Sequence, residues 1–290
     1  MDLYLKKTKP FLVCVDSDGC VFDTMELKHK ECFCPAIIQS WNLQGISRYV
    51  REVMEFVNLY SIYRGIHPMR ALVRTFAYLR ERPEPKRRGV PIPDLSPLET
   101  WIEQAEALCD GELEAYCASH KGERILEQTL AWSKNCNQRV REMTRNVPPF
   151  PYARSTLEMF SAQADLLVVS TTPGEQLARE WGENGLDCFL AGIGGQEAGD
   201  KVSIIRHAIS LGYDRENVIM LGDAPGDHRA AEANGIRFYP ILAGREEEAW
   251  KSLKERVAEL FFMGKYTARE EDKQLTCFYE RLPKEPPWQE

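Results

Sequence analysis

The sequence has no apolar run approaching the roughly 18 to 20 residues that span a bilayer, so no membrane-spanning helix is expected. It has no basic excess either. Against 44 Asp+Glu stand only 37 Lys+Arg, and a net charge of -7 argues against non-specific binding to nucleic acid. Its nine cysteines include no C-x-x-C pair, the closest spacing being Cys32-x-Cys34, which predicts reduced thiols in a reducing cytoplasm and not a disulfide framework. The opening residues MDLYLKKTKP hold no apolar stretch of the kind that leads a secretory signal. Internal repeats and extended low-complexity tracts are missing as well. What is present is a 290-residue chain with 43% hydrophobic residues, enough to bury the core of one or two domains.

Short apolar runs predict strands buried on both faces at Phe11–Val15, 166–169, 218–221 and 236–241, with a weaker one at 188–193. Between them, helices are predicted at about 175–183, 202–211 and 227–233, closed in turn by Gly185, Gly212 and Gly235. Strands alternating with helices imply an α/β, Rossmann-like parallel sheet. Residues 25–149 break the rhythm. Helical spacing is seen at 46–60 and 69–79, Ser96-Pro97-Leu98-Glu99 has the form of a capping box opening a helix through Leu108, and helical pattern resumes from 112 to about 143. The proline-rich piece 82–93 is expected to be a loop. The predicted organisation is therefore a discontinuous core of 1–24 and 150–290 with an inserted all-helical unit at 25–149. Charge follows that boundary, with a net of +2 on 25–149 and -9 on the remainder. The tail from 246 onward is expected to hold one amphipathic helix and a proline-ended segment.

Four constellations carry possible chemistry. Asp16-Ser17-Asp18-Gly19 follows the first predicted strand, and in an open parallel sheet ligands bind at the carboxyl ends of strands. Gly222-Asp223-Ala224-Pro225-Gly226-Asp227 follows another, again with two acids at a strand end. Four such acids would repel one another unless a cation holds them, because hard divalent ions take oxygen ligands. Ser170-Thr171-Thr172-Pro173-Gly174 ends a strand in hydroxyls at a helix start, where an anion can bind. Lys201, after Gly199-Asp200, enters a helix and could pair with phosphate and with a nucleophile. Thr24, Glu26, Lys28, His29, His67, Arg70 and Arg74 stand in or near the insert as weaker candidates for substrate contact.

In this order, the four motifs resemble those of the haloacid dehalogenase superfamily: Asp-x-Asp-Gly, a Ser/Thr, a Lys, and Gly-Asp-x-x-x-Asp. The resemblance covers residues 11–24 and about 150–241, and it implies that 25–149 is a large helical C1-type cap. It further implies a Mg²⁺-dependent phosphoric monoester hydrolase of a small phosphorylated metabolite, in which Asp16 forms an aspartyl-phosphate. Asp18 would be general acid and then base. Mg²⁺ would be held by Asp16, Asp223 and the Asp18 backbone carbonyl, with Asp227 as a further ligand or nearby acceptor. Ser170, Thr171 and Lys201 would hold the phosphoryl oxygens. The second acid, Asp18, disfavours dehalogenation. A phosphomutase, a phosphonate-cleaving enzyme using Lys28 or Lys30, and a non-catalytic regulatory protein on the same scaffold stay open as alternatives. The specific phosphate ester and the oligomeric state are not legible.

Overall fold

The computed structural model of the chain describes residues 4–289. Five parallel strands, β1 (Phe11–Val15), β2 (Ala164–Val169), β3 (Gly192–Gly194), β4 (Val218–Gly222) and β5 (Arg237–Pro240), form one sheet in the order β3-β2-β1-β4-β5. The expected α/β, Rossmann-like parallel sheet is therefore what the chain builds. The direction of winding reverses at β1, between β2 on one side and β4 on the other. That is the switch point at which ligands bind in open α/β sheets.

Alternation along β1 divides the core into two apolar layers. Val13 and Val15 pack with Leu157, Phe160, Trp181 and Trp250 from the helices Ala153–Ser161, Gly174–Glu183 and Glu246–Ser252. Leu12 and Cys14 pack on the opposite face with Ile204, Ile205, Ala230 and Phe278 from the helices Lys201–Ser210, Pro225–Asn234 and Ala268–Glu280. A strand covered on both sides needs no polar residue, which is why the strand segments read as continuous apolar runs.

Several elements depart from the sequence expectation. The weak strand at 188–193 is a turn at Asp187–Phe189 followed by only three residues of β3. Residues Pro83–Arg87 form a helical turn inside the expected loop. The helix from Ser96 stops at Gln104, and Ser96 is its first residue; the Asp94 carboxylate caps it, accepting the Ser96 amide at 3.3 Å and hydroxyl at 2.8 Å. The long helix after 112 is two, Asp110–Ser119 and Arg124–Met143, parted at Gly122, whose φ of 91° no other residue adopts readily. In the tail the helical run from Glu246 through Phe262 is followed by a second helix, Ala268–Glu280. Its Glu271 accepts the Phe238 amide and the Arg237 guanidinium, both at 2.7 Å, and so occupies the open edge of β5.

The chain divides into two compact units, Met1–Met25 with Asn146–Pro283, and Glu26–Arg145 with Lys284–Glu290. In the first, the segments on either side of the insertion are tied together, since Phe22 bridges to Pro149 and the Phe150 amide donates to the Val21 carbonyl at 2.8 Å. The second is helical and holds no strand among the described residues; Trp41, Phe76, Trp101 and Trp132 are buried in its core. Lys284–Glu290 group with this helical unit, although the sequence expectation kept all of 150–290 together. The reason is Trp288, which lies with one ring face toward the Arg82 guanidinium at 4.8 Å. Tyr49 covers Arg82 at the same distance, and Glu52 (2.9 Å) and Glu84 (3.1 Å) pair with it, which explains how an arginine only 6% exposed is tolerated.

Asp165 shows how the start of the chain is fixed to the sheet. Fully within β2 and buried, it accepts the amides of Thr8 (2.8 Å) and Lys9 (3.0 Å), the Thr8 hydroxyl (2.5 Å) and the Tyr213 hydroxyl (2.6 Å). Burial alone would raise its pKa, but these donors outweigh burial and hold it below the ordinary carboxylate range. A depressed folded-state pKa gives stability that is present above the unfolded value of about 4 and is lost as pH falls through the lower folded value. Asp165→Asn is expected to cost about 1–3 kcal/mol at neutral pH. In the wild type, hydrogen exchange at Thr8 and Lys9 should accelerate only below about pH 4.

Candidate active site

Register puts the acids together. Val15 pairs with Leu221 of β4, and the Asp16 amide continues the ladder by donating to the Leu221 carbonyl at 2.9 Å. Asp16 therefore lies beside Gly222, with Asp223 next along the chain. On the other side Val15 pairs with Val168, so Ser170 stands at the adjoining end of β2. One carboxylate oxygen from each of Asp16, Asp223 and Asp227 lies within 4.8 Å of the others, and all three residues are buried.

Lys201 completes this floor. Gly199 adopts a φ of 111°, and Asp200 caps the next helix by accepting the Ser203 amide at 2.7 Å. Lys201 is thereby the first helical residue, an unfavourable end of the helix dipole for a cation. Its ammonium is held instead by Asp16 Oδ2 at 2.7 Å and Asp227 Oδ1 at 2.6 Å. Burial would lower the Lys201 pKa, but the two carboxylates outweigh it and hold the ammonium raised. Asp16 accepts on its other oxygen from the Ser17 amide at 2.7 Å. Burial pushes the Asp16 carboxyl up to about 8; Lys201 opposes that shift, while Asp227 and Asp223 add to it.

Three buried carboxylates against one ammonium leave an excess of negative charge, and hard oxygen donors in that number match a divalent cation. The residues present fit Mg²⁺. The Asp18 carboxylate is outside this cluster. It is half-buried and accepts from Thr24 through one oxygen and from the Thr172 hydroxyl, at 2.7 Å, through the other. Asp227 has two duties: besides Lys201, it caps the helix Pro225–Asn234 by accepting the Ala224 amide on Oδ2 at 3.0 Å. Its side chain lies directly over Gly222, where a Cβ would overlap the Asp227 Cβ, Cγ and Oδ2 atoms. Gly222→Ala is thus expected to displace Asp227 and Lys201 together and to lower stability by about 1–3 kcal/mol, which thermal melting checks.

Ser170 is buried at the strand end, its amide bonded to the Gly194 carbonyl at 3.0 Å and its hydroxyl accepting the Thr172 amide at 3.3 Å. The neighbouring Thr171 is exposed. Thr172 and Ser17 are the participants that sequence reasoning passed over. The run of hydroxyls after β2 was a signal for Thr172, but its partner lies 154 residues away. Cys14 and Cys20 are plain buried thiols; burial pushes Cys14 up to about 12 and Cys20 well above its usual value.

The weaker candidates in the helical unit have other partners. Lys28 and His29 are buried, and His29 stacks on Phe33 at 5.0 Å. Lys30 pairs with Glu26 and with the Tyr60 hydroxyl at 3.0 Å, and these contacts outweigh burial to raise its pKa. A Schiff-base lysine needs the opposite shift. His67 caps the helix Pro68–Glu81 by accepting the Met69 amide at 3.3 Å, and Arg74 lies over the Tyr63 ring at 4.6 Å. Arg70 is exposed.

No family model and no curated protein matches the chain. Among solved structures it is similar to a Lactobacillus delbrueckii subsp. bulgaricus protein provisionally named phosphoglycolate phosphatase. Identity is 15%, coverage 80% of this chain and 85% of that one, and the TM-score 0.50. A haloacid dehalogenase-like family hydrolase from Streptococcus pneumoniae aligns at 16% identity, over 83% of this chain and 90% of that one, with a TM-score of 0.41. A Thermotoga maritima protein provisionally named beta-phosphoglucomutase aligns at 17% identity, over 85% and 99%, with a TM-score of 0.45. The α/β parallel-sheet fold expected for the core is the fold that this chain shares with the Lactobacillus delbrueckii subsp. bulgaricus protein. No helix among the described residues is long and apolar enough to cross a membrane.

Proposed function

We propose that the chain is a Mg²⁺-dependent phosphohydrolase of a small phosphorylated metabolite, acting through an aspartyl-phosphate on Asp16. The observation that carries the proposal is the convergence of Asp16, Asp223, Asp227 and Lys201 at the carboxyl ends of β1 and β4. In this scheme an Asp16 carboxylate oxygen attacks phosphorus, the O–P bond forms, and the P–O bond to the ester oxygen breaks. Asp18 gives its proton to the departing oxygen. As a carboxylate it then takes a proton from the water that hydrolyses the aspartyl-phosphate, releasing inorganic phosphate and restoring Asp16. The Thr24 and Thr172 hydroxyls, each on one oxygen, fix the orientation of the Asp18 carboxyl.

The ion would be held by the carboxylates of Asp16 and Asp223 and the Asp18 carbonyl; bound there, it offsets the repulsion between an anionic nucleophile and an anionic phosphate. Asp227, already accepting from Lys201 and the Ala224 amide, keeps Lys201 aimed at the site. Ser170, Thr171 and Lys201 then hold the phosphoryl oxygens as charge shifts across them. Residues 25–149 serve as the cap, and the free thiols fit a reducing cytoplasm.

The test is a panel of phosphorylated metabolites assayed for phosphate release with Mg²⁺ and with excess chelator. Phosphate release that depends on Mg²⁺ is the expected result. Full turnover in chelator overturns the metal assignment. An isomerised phosphate ester with no phosphate released replaces the hydrolase with a mutase.

A further inference from the structure

Position 17 separates the two acids of the first motif, and its side chain meets Trp181 of the apolar layer that holds Val13, Val15 and Phe22. Packing alone would be served there by another apolar side chain, whereas a buried hydroxyl is costly unless it is bonded. Ser17 is completely buried, and its Oγ accepts the indole N–H of Trp181 at 3.1 Å. Trp181 is itself fully buried in the helix Gly174–Glu183, its ring edge-on to Phe22 with centroids 5.7 Å apart. The backbone of Ser17 is engaged on both sides. Its carbonyl accepts the amides of Val21 (2.9 Å) and Phe22 (3.2 Å), and its own amide donates to Asp16 Oδ1 at 2.7 Å.

The Asp16 carboxylate thus has two fixed contacts, Lys201 on Oδ2 and the Ser17 amide on Oδ1. Two contacts on different oxygens set the plane of the group, and with it the direction from which a lone pair meets phosphorus. We infer that Trp181 is a positioning residue that acts through Ser17 to orient Asp16. The inference rests on the phosphoryl-transfer reading of the site. It gives the helix after β2 a second part in the chemistry, beyond the hydroxyls that precede it.

A double-mutant cycle tests this, with p-nitrophenyl phosphate and Mg²⁺ as the probe. Ser17→Ala and Trp181→Phe should each lower kcat about tenfold with KM within about twofold, since misorientation costs rate more than binding. The double variant should be no slower than either single one, because both remove the same link. Multiplying effects, or single variants at the wild-type kcat, overturn the inference. Ser17→Ala removes one atom, so it keeps the test informative should Trp181→Phe fold poorly. A second readout needs no turnover: the Trp181 indole ¹H–¹⁵N resonance, assigned by its loss in Trp181→Phe, should move in Ser17→Ala and also in Asp16→Asn. If the wild type releases no phosphate, the phosphoryl-transfer reading fails. A resonance that ignores Asp16→Asn overturns the link through Ser17 in either case.

Discussion

Asp16→Asn is expected to remove phosphate release by roughly 10⁴-fold or more, the scale on which loss of a nucleophile is felt, and at the same time to make the protein harder to unfold. The first effect follows from the proposed mechanism, because an amide cannot form the aspartyl-phosphate. The second follows from charge. Asp16, Asp223 and Asp227 are buried within a few ångströms of one another against a single ammonium. Asparagine keeps the shape of the side chain and removes an acid whose ionised form this crowded, desolvated place disfavours. An increase in Tm of about 2–4 °C is expected for a chain of this size, corresponding to about 1 kcal/mol. Kinetics and melting on the same preparation check both; a variant that is inactive because it is unfolded would contradict the account.

Lys201→Met should have the same sign in activity and the opposite sign in stability. The Lys201 side chain is 15% exposed, and its ammonium contacts the carboxylates of two side chains less exposed still, Asp16 at 8% and Asp227 at 0%. Removing one partner of a buried ionic cluster leaves charges that nothing offsets, an effect of about 3–5 kcal/mol. Turnover should fall as well, since Lys201 is assigned to hold the phosphoryl oxygens. Adding Mg²⁺ should restore a larger share of the lost stability in Lys201→Met than it adds to the wild type, because a divalent ion supplies the missing charge. Melting curves with and without Mg²⁺ decide it, and an equal increment in both proteins would count against the ion's placement beside these acids.

The strands were legible because a parallel sheet covered on both faces favours apolar runs, with Asp165 of β2 and Arg237 of β5 as charged exceptions near the strand starts. The acids were legible for a related reason: carboxylates directly after such runs, at Asp16 and Asp223, have no part in the apolar core and stand where strands end. The helix Ala268–Glu280 was missed because few of its residues are buried, among them Glu271 and Phe278, so its periodicity is weak. What it contributes, a carboxylate on the edge of β5, is a tertiary contact that no local pattern announces. The same holds for Trp181 on Ser17 and Thr172 on Asp18, which join residues 164 and 154 positions apart. Asp227 shows the middle case. Its place after a strand marks it as one of the clustered acids, and in the structure it accepts from Lys201 and also caps the helix Pro225–Asn234.

The placement of Trp288 changes what it means to treat the helical unit as a module. A contiguous insertion would be entered once and left once, so that cutting at its two borders would release it whole. Here the polypeptide crosses that border a third time, at 283–284, entering the unit again, and supplies one of the two aromatic walls around Arg82. A fragment limited to 26–145 would lack that wall and bare one face of a guanidinium that is otherwise enclosed. Grafting the unit onto another scaffold would therefore require carrying the distant 284–289 segment along with it.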